Sequence, residues 1–197
     1  MPERIFNLNS PCSRSSVVPY CERVRQLVTE ARFEHIERVA VLAETIARAN
    51  DFSEDEVRAV SLAAVLHDAA RDLEPGRLFE LAPPRTELER SHPLAVHGRA
   101  SAALAEQWGI QDKRVLSAIE GHVFGVTQTN RVGMALYIAD VSEPGRGVNG
   151  DIRELAMKNV FRAYQRAVDS KVRYLRAKGK AVHPITLEVY KEICELT

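Results

Sequence analysis

At 197 residues the chain is long enough for one ordinary core or two very small ones, and its 45% hydrophobic and 27% charged residues exclude a disordered or collagenous chain. Lys plus Arg number 27 and Asp plus Glu number 27, so no overall positive field marks a nucleic-acid polymer or a membrane surface as the partner. Cys12, Cys21 and Cys194 form no C-x-x-C pair and leave an odd count, which argues against a disulfide framework or a thiolate zinc site and for a reducing cytoplasm.

Residues 1–16 carry Ser, Asn and Pro in place of a periodic stripe and have no apolar h-region, so they read as a flexible leader with neither signal peptide nor anchor. From residue 17 to 197 apolar residues recur at intervals of three and four without period-2 alternation, the pattern of an all-α domain. Val17, Val24, Leu27, Val28 and Ala31 form one stripe; Ile36, Val39, Ala40, Ala43, Ile46 and Ala47 form the next, giving two helices or one bent one. Ser53 and Glu56 make a capping box stapled by Phe52 and Val57. The helix it opens, near Glu54, runs through Leu66 with apolar residues on nearly every side and belongs in the middle of the protein.

Between Arg71 and His92 the pattern breaks at Pro75, Gly76, Pro83 and Pro84, a long connection of the kind that often covers a site or moves as a lid. Pro93 suits the first turn of a helix striped by Val96, Ala100, Ala103, Leu104 and Trp108 and closed by Gly109. Asp112 caps a short helix to about His122, and another spans about 130–141. Residues 143–147 form a turn, a helix with one possible break covers roughly 151–178, and the last runs from Pro184 to Glu195.

The histidines gain meaning from the faces they occupy. His35 lies on the stripe of Val39, Leu42, Ala43 and Ile46, so its ring points inward. His67 ends the most apolar helix and Asp68 follows it, where a carboxylate needs a cation or hydrogen bonds to compensate its burial. His97 shares a face with Ala100 and Leu104, His122 with Val115, Ala118 and Ile119, and Asp140 follows Leu136, Tyr137 and Ala139. A lone inward His is more often a hydrogen-bonded core residue than a ligand, but four imidazoles and two carboxylates in one core leave many polar groups unsatisfied unless a cation binds them. His and Asp without Cys suit Fe, Mn, Co, Ni or Zn, six ligands suffice for two ions, and ions roughly 3.5–4 Å apart serve phosphoryl hydrolysis. His92, ahead of Pro93, reads as a loop or cap residue and Trp108 as core, while Phe33 fits either core or base stacking. Lys158, Arg162, Arg166, Lys171, Arg173, Arg176, Lys178 and Lys180, facing only Asp169 in that stretch, suit polyphosphate or a solvated helix face.

Taken in order, Arg32-x-x-His35, Leu66-His67-Asp68-Ala69-Ala70-Arg71, His97-Gly98, Ala118-Ile119-x-x-His122-x-x-Gly125, Tyr137-Ile138-Ala139-Asp140-x-x-Glu143-Pro144-x-Arg146 and His183-Pro184-x-Thr186-Leu187 resemble the HD-domain phosphohydrolases. Within that superfamily they look like the YqeK branch, the bacterial symmetrical diadenosine tetraphosphate hydrolases, over roughly Val24 to Tyr190. The resemblance implies an all-α HD-domain helical bundle, a single domain over 17–197, that hydrolyses diadenosine tetraphosphate to two ADP. It implies that His35, His67, Asp68 and Asp140 bind the principal ion, iron before Mn, Co, Ni or Zn, with His97 and His122 completing a second metal position or contacting phosphate. Asp68, His97 and His122 are then the catalytic candidates, and Arg32, Arg71, Arg146, His183 and Thr186 the nucleotide contacts. The expected partner is a small nucleotide, with no nucleic-acid polymer and no membrane; a homodimer is left open.

Three departures bear on substrate. Val123-Phe124 stands where the family usually has Thr-Thr, Arg71 where it has Lys, and Val141-Ser142 where it has Tyr-Ile. None replaces a candidate ligand, so metal binding should survive all three. They keep open another nucleotide substrate, such as a monophosphate or guanosine alarmone, and a nucleotide-binding sensor that turns over poorly.

Overall fold

The computed structural model describes Cys12 and residues 17–194, and every regular element among them is a helix. Thr29 decides what the first two stripes become: its hydroxyl accepts from the Arg32 amide, so the chain breaks after α1 (Val18–Arg25) and restarts as α2 (Glu30–Ala49). The Ser53–Glu56 capping box forms in full ahead of α3 (Glu54–Leu66), with Phe52 and Val57 both buried beside it.

The 71–92 stretch holds two short helices, α4 (Pro75–Leu81), opened by its proline, and α5 (Glu87–Ser91), capped by Thr86. A 3-10 turn, Pro93–Val96, then leads directly into α6 (His97–Gln107). Asp112 and Asn130 cap α7 (Lys113–Gly121) and α8 (Arg131–Ser142), and a second 3-10 turn occupies Pro144–Arg146. The possible break in the stretch 151–178 is present: it forms α9 (Gly150–Ala156) and α10 (Val160–Ala177), divided where extended Asn159 accepts from the Arg162 amide. α11 (Pro184–Cys194) closes the described chain.

α8 is the axis of the bundle. Val132 to Ala139 are all buried, and the helix packs against α2, α3, α7, α9 and α10; each fully buried aliphatic side chain there contributes about 1.5–3 kcal/mol. α3, expected in the middle, lies beside it between α2 and α7. Gly98 lets α6 close onto the end of α7: a Cβ there would sit 2.9 Å from the Glu120 carbonyl oxygen and 2.9 Å from a Val123 methyl.

Cys12 and Cys21 are joined in a disulfide, where the spacing of the three cysteines argued against a disulfide framework. The first turn of α1 carries Cys21 to 5.8 Å, Cα to Cα, from Cys12, inside bridging range. A separation of nine residues carries no pattern from which that approach could be read, and the inference of a reducing compartment loses its basis. The rest of the leader expected over 1–16 lies outside the described residues. No helix among the described residues is long and apolar enough to cross a membrane.

Candidate metal centre

Helix ends build the site. His67 caps the C-terminus of α3 and Asp68 follows; His122 caps the C-terminus of α7; His97 is the first residue of α6; Asp140 sits in the last turn of α8; and His35 projects from the second turn of α2. Carbonyls in a last helical turn lack intrahelical donors and carry a negative partial charge. Two of them orient ligand rings here: His67 Nδ1 bonds Ala64 O at 2.7 Å and His122 Nδ1 bonds Ile119 O at 2.7 Å. His97 Nδ1 does the same with Leu94 O. Because a carbonyl can only accept, each Nδ1 carries the proton, and in the neutral ring each Nε2 is a lone pair aimed at the centre.

His35 has a carboxylate at each ring nitrogen. Its Nδ1 lies 3.1 Å from Glu143 Oε1, and its Nε2 lies 3.1 Å from Asp140 Oδ1. Glu143, almost fully buried, is itself held by Arg38 Nε at 2.7 Å and by the Gly145 amide at 2.6 Å. A carboxylate behind a histidine fixes its tautomer and raises its basicity toward a metal. Glu143 stood in a motif without a role and Arg38 went unnoticed; its position one turn after His35, on the same face, was the available signal.

Two groups of donor atoms emerge, each within 4.8 Å: His35, His67 and Asp140, and His67, Asp68 and His122. His97 Nε2 approaches Asp68 Oδ1 to 3.2 Å and His122 Nε2 to 3.0 Å, and His122 Nε2 lies 3.5 Å from the same carboxylate oxygen. Two imidazole lone pairs at that separation repel unless a proton or cation lies between them. His67 Nε2 is fully buried, 3.5 Å from Asp68 Oδ2, and makes no hydrogen bond. An orphaned lone pair between two carboxylates is what a metal ligand requires, so the donor set fits divalent transition-metal ions.

The electrostatics agree. Burial pushes Asp68 upward, but His67, His122 and His97 outweigh it and hold the carboxyl well below the usual carboxylate range. Burial likewise opposes ionisation of Asp140, and His35, His67 and Arg146 keep it depressed. Desolvation lowers His122, with its neighbours His97 and His67 adding to the effect. Against the same desolvation, the Asp68 and Asp140 charges raise His67, which marks Nε2 as a position that attracts a cation.

Of the expected nucleotide contacts, Arg32 donates from Nη1 to Asp68 Oδ2 at 3.0 Å. Arg146 donates to both the side chain and the backbone carbonyl of Asp140 and stays part exposed. Arg71 is tied to the site through its backbone, its amide donating to the Asp68 carbonyl at 2.9 Å. His183 and Thr186 lie apart from the six ligands: His183 stacks on Phe124 at 3.7 Å between centroids, with Nε2 3.3 Å from Glu89, and the Thr186 hydroxyl donates to the Phe124 carbonyl at 2.9 Å. Both therefore fasten the segment after His122. His92 is exposed, Phe33 is buried under the Arg25 guanidinium, and Trp108 packs half-buried near Arg23.

Comparison with known proteins shows what the chain is similar to. The chain is 32% identical over 141 residues to a symmetrical bis(5'-nucleosyl)-tetraphosphatase of Staphylococcus aureus, an alignment covering 67% of this chain and 70% of that one. It is 28% identical to a protein of the same name from Bacillus subtilis, over 85% of this chain and 91% of the other. The crystal structure of a predicted HD superfamily hydrolase involved in NAD metabolism, from Clostridium acetobutylicum, superposes with a TM-score of 0.82 at 24% identity, covering 91% of this chain and 97% of that one; this last is a likeness of fold. The HD domain family model matches residues 32–145, a span that contains His35, His67, Asp68, His97, His122 and Asp140, and the chain belongs to the HD domain family.

Proposed function

We propose that the protein is a metal-dependent phosphohydrolase that cleaves diadenosine tetraphosphate at its centre into two ADP. The observation that carries this reading is the orphaned Nε2 of His67 between the two carboxylates, in a ring of imidazoles whose Nδ1 atoms are all tied back. The names of the curated relatives supply the substrate. His35, His67, Asp68 and Asp140 hold the principal ion, for which iron is our choice ahead of Mn, Co, Ni or Zn; His97 and His122 complete a second position or hold a phosphate oxygen. Bound metal supplies Lewis-acid charge and lowers the pKa of water at the site.

The chain's own groups do the rest. Asp68 is ionised and pinned by Arg32 and His97, so it can orient the attacking water and take its proton. Arg146 and Arg71 offer guanidinium groups at the rim for phosphate oxygens. With Arg146 fixed beside Asp140, the phosphate bound there adjoins the one attacked, and the leaving group is a nucleoside diphosphate. Water oxygen bonds to phosphorus as the central bridging P–O bond breaks, one ADP leaves, and the other carries the solvent oxygen. His183 and Thr186 support the stretch after His122 by holding Phe124. We place the activity in the cytoplasm on the ground of its nucleotide substrate alone, since the Cys12–Cys21 bridge removes the argument from the cysteines.

The test is product analysis in ¹⁸O-water with metal-replete protein. We expect ADP as the only early nucleotide product, with label in ADP. An equimolar mixture of AMP and ATP would refute the central register, and phosphate released from mononucleotides alone would refute the substrate.

A further inference from the structure

We propose that Lys171 is a phosphate-binding residue of the active site, projecting from α10 to the stretch just after His122. Neither Val123 nor Phe124 has a polar side-chain atom, so that stretch offers a phosphate only its backbone. Lys171 occupies this gap. Its ammonium donates to the Val123 carbonyl and lies 5.4 Å from the centroid of the Tyr137 ring, one turn before Asp140.

The structure separates Lys171 from its basic neighbours. Lys158, Arg162, Arg166, Arg173, Arg176, Lys178 and Lys180 are exposed, whereas Lys171 is half-buried with its charge directed inward. Among the described residues no carboxylate lies within ion-pair distance of it, and one carbonyl accepts only one of its three donors. A desolvated ammonium with two donors free is poorly matched to a structural tether and well matched to an anion. Burial draws its pKa down to about 8 against the pull of Asp140, which leaves most of the population charged at neutral pH, and a bound phosphate strengthens that charge. Lys171 thus provides the anion contact from α10 that Val123 and Phe124 do not. The assignment rests on the polyphosphate-hydrolase reading for its substrate, but its test does not.

The test compares wild-type and Lys171→Gln protein, both metal-loaded, for calorimetric binding of inorganic tripolyphosphate and for hydrolysis of diadenosine tetraphosphate. Glutamine keeps a donor, on a side chain one atom shorter, but has no charge, so retention of affinity in Lys171→Arg beside its loss in Lys171→Gln and Lys171→Met separates a phosphate contact from a structural tether. We expect tripolyphosphate Kd and nucleotide KM to rise about tenfold or more, with metal content unchanged and Tm unchanged or higher, since an unpaired buried charge is removed. Lys171→Arg should retain most of the affinity. Unchanged affinity in Lys171→Gln, loss of metal from it, or no tripolyphosphate binding by wild type would overturn the proposal. If Lys171→Gln does not fold, Lys171→Met carries the same comparison. Wild type that forms no ADP, yet binds tripolyphosphate through Lys171, would sink the hydrolase reading alone; normal turnover with unchanged affinity would sink the Lys171 assignment alone.

Discussion

Glu143→Gln isolates the carboxylate behind His35. The side chain is buried and faces donors from three residues: His35 Nδ1 at 3.1 Å, Arg38 Nε at 2.7 Å with Nη2 at 3.5 Å, and the Gly145 amide at 2.6 Å. Glutamine preserves the shape and one acceptor oxygen but removes the charge and turns an NH2 group toward one of those donors. Hydrogen bonds to charged groups contribute about 1.5–3 kcal/mol. The Arg38 pair counts for less because the guanidinium side chain is 40% exposed, so most of the effect arises at His35. Loss of such a partner lowers metal affinity about 10- to 100-fold, equivalent to about 1.4–2.7 kcal/mol. The assay is competition for metal against a chelating dye, with helical circular dichroism confirming the fold. Arg38→Ala, one contact further from the centre, should cost a smaller factor. Wild-type metal affinity in Glu143→Gln would show that Glu143 does not act through His35.

Other expectations follow from the same geometry. Gly98→Ala drives a methyl into the Glu120 carbonyl and Val123, so it should cost about 1–3 kcal/mol of stability and reduce turnover by parting His97 from His122, as denaturation and rate measurements would show. Arg146→Ala should raise KM about tenfold while metal content stays near wild type, since a charge-assisted phosphate contact contributes about 1.5–3 kcal/mol; an unchanged KM would make Arg146 structural. Chelation should abolish turnover and lower Tm by several degrees, because the ligands converge only in the folded chain. In metal-stripped protein, Asp68 and Asp140 stay ionised below their unfolded value of about 3.9. Their stabilisation is therefore complete above about pH 5 and is lost as pH falls through 4 toward the folded values. Melting temperature should drop over that window, less steeply in Asp140→Asn; a flat profile would contradict the depressed carboxyls.

Periodicity and caps made most of the helices legible, because Ser53, Asp112 and Asn130 act locally through side chain to backbone bonds. The convergence of the six candidate ligands was legible for a related reason: each lies on or directly after an apolar stripe that fixes which way its side chain points. α4 and α5 were not, since a seven-residue and a five-residue helix have too little periodicity to outweigh Pro83 and Pro84. Lys171 was hidden among seven similar cations until the turn after α7 was placed beneath it. Glu143 and Arg38 meet across 105 residues, and the bridge from Cys12 to Cys21 depends on how the chain enters α1. Each of these needs the tertiary arrangement before it has a meaning.

Element-specific metal analysis of wild-type and Asp68→Ala protein, purified anaerobically without added metal or chelator, bears most directly on the centre built by His35, His67, Asp68 and Asp140. We expect one or two transition-metal ions per wild-type chain and a substantial loss in the variant, whose helical circular dichroism persists. Metal near zero in wild type, or wild-type occupancy in Asp68→Ala, would contradict the account.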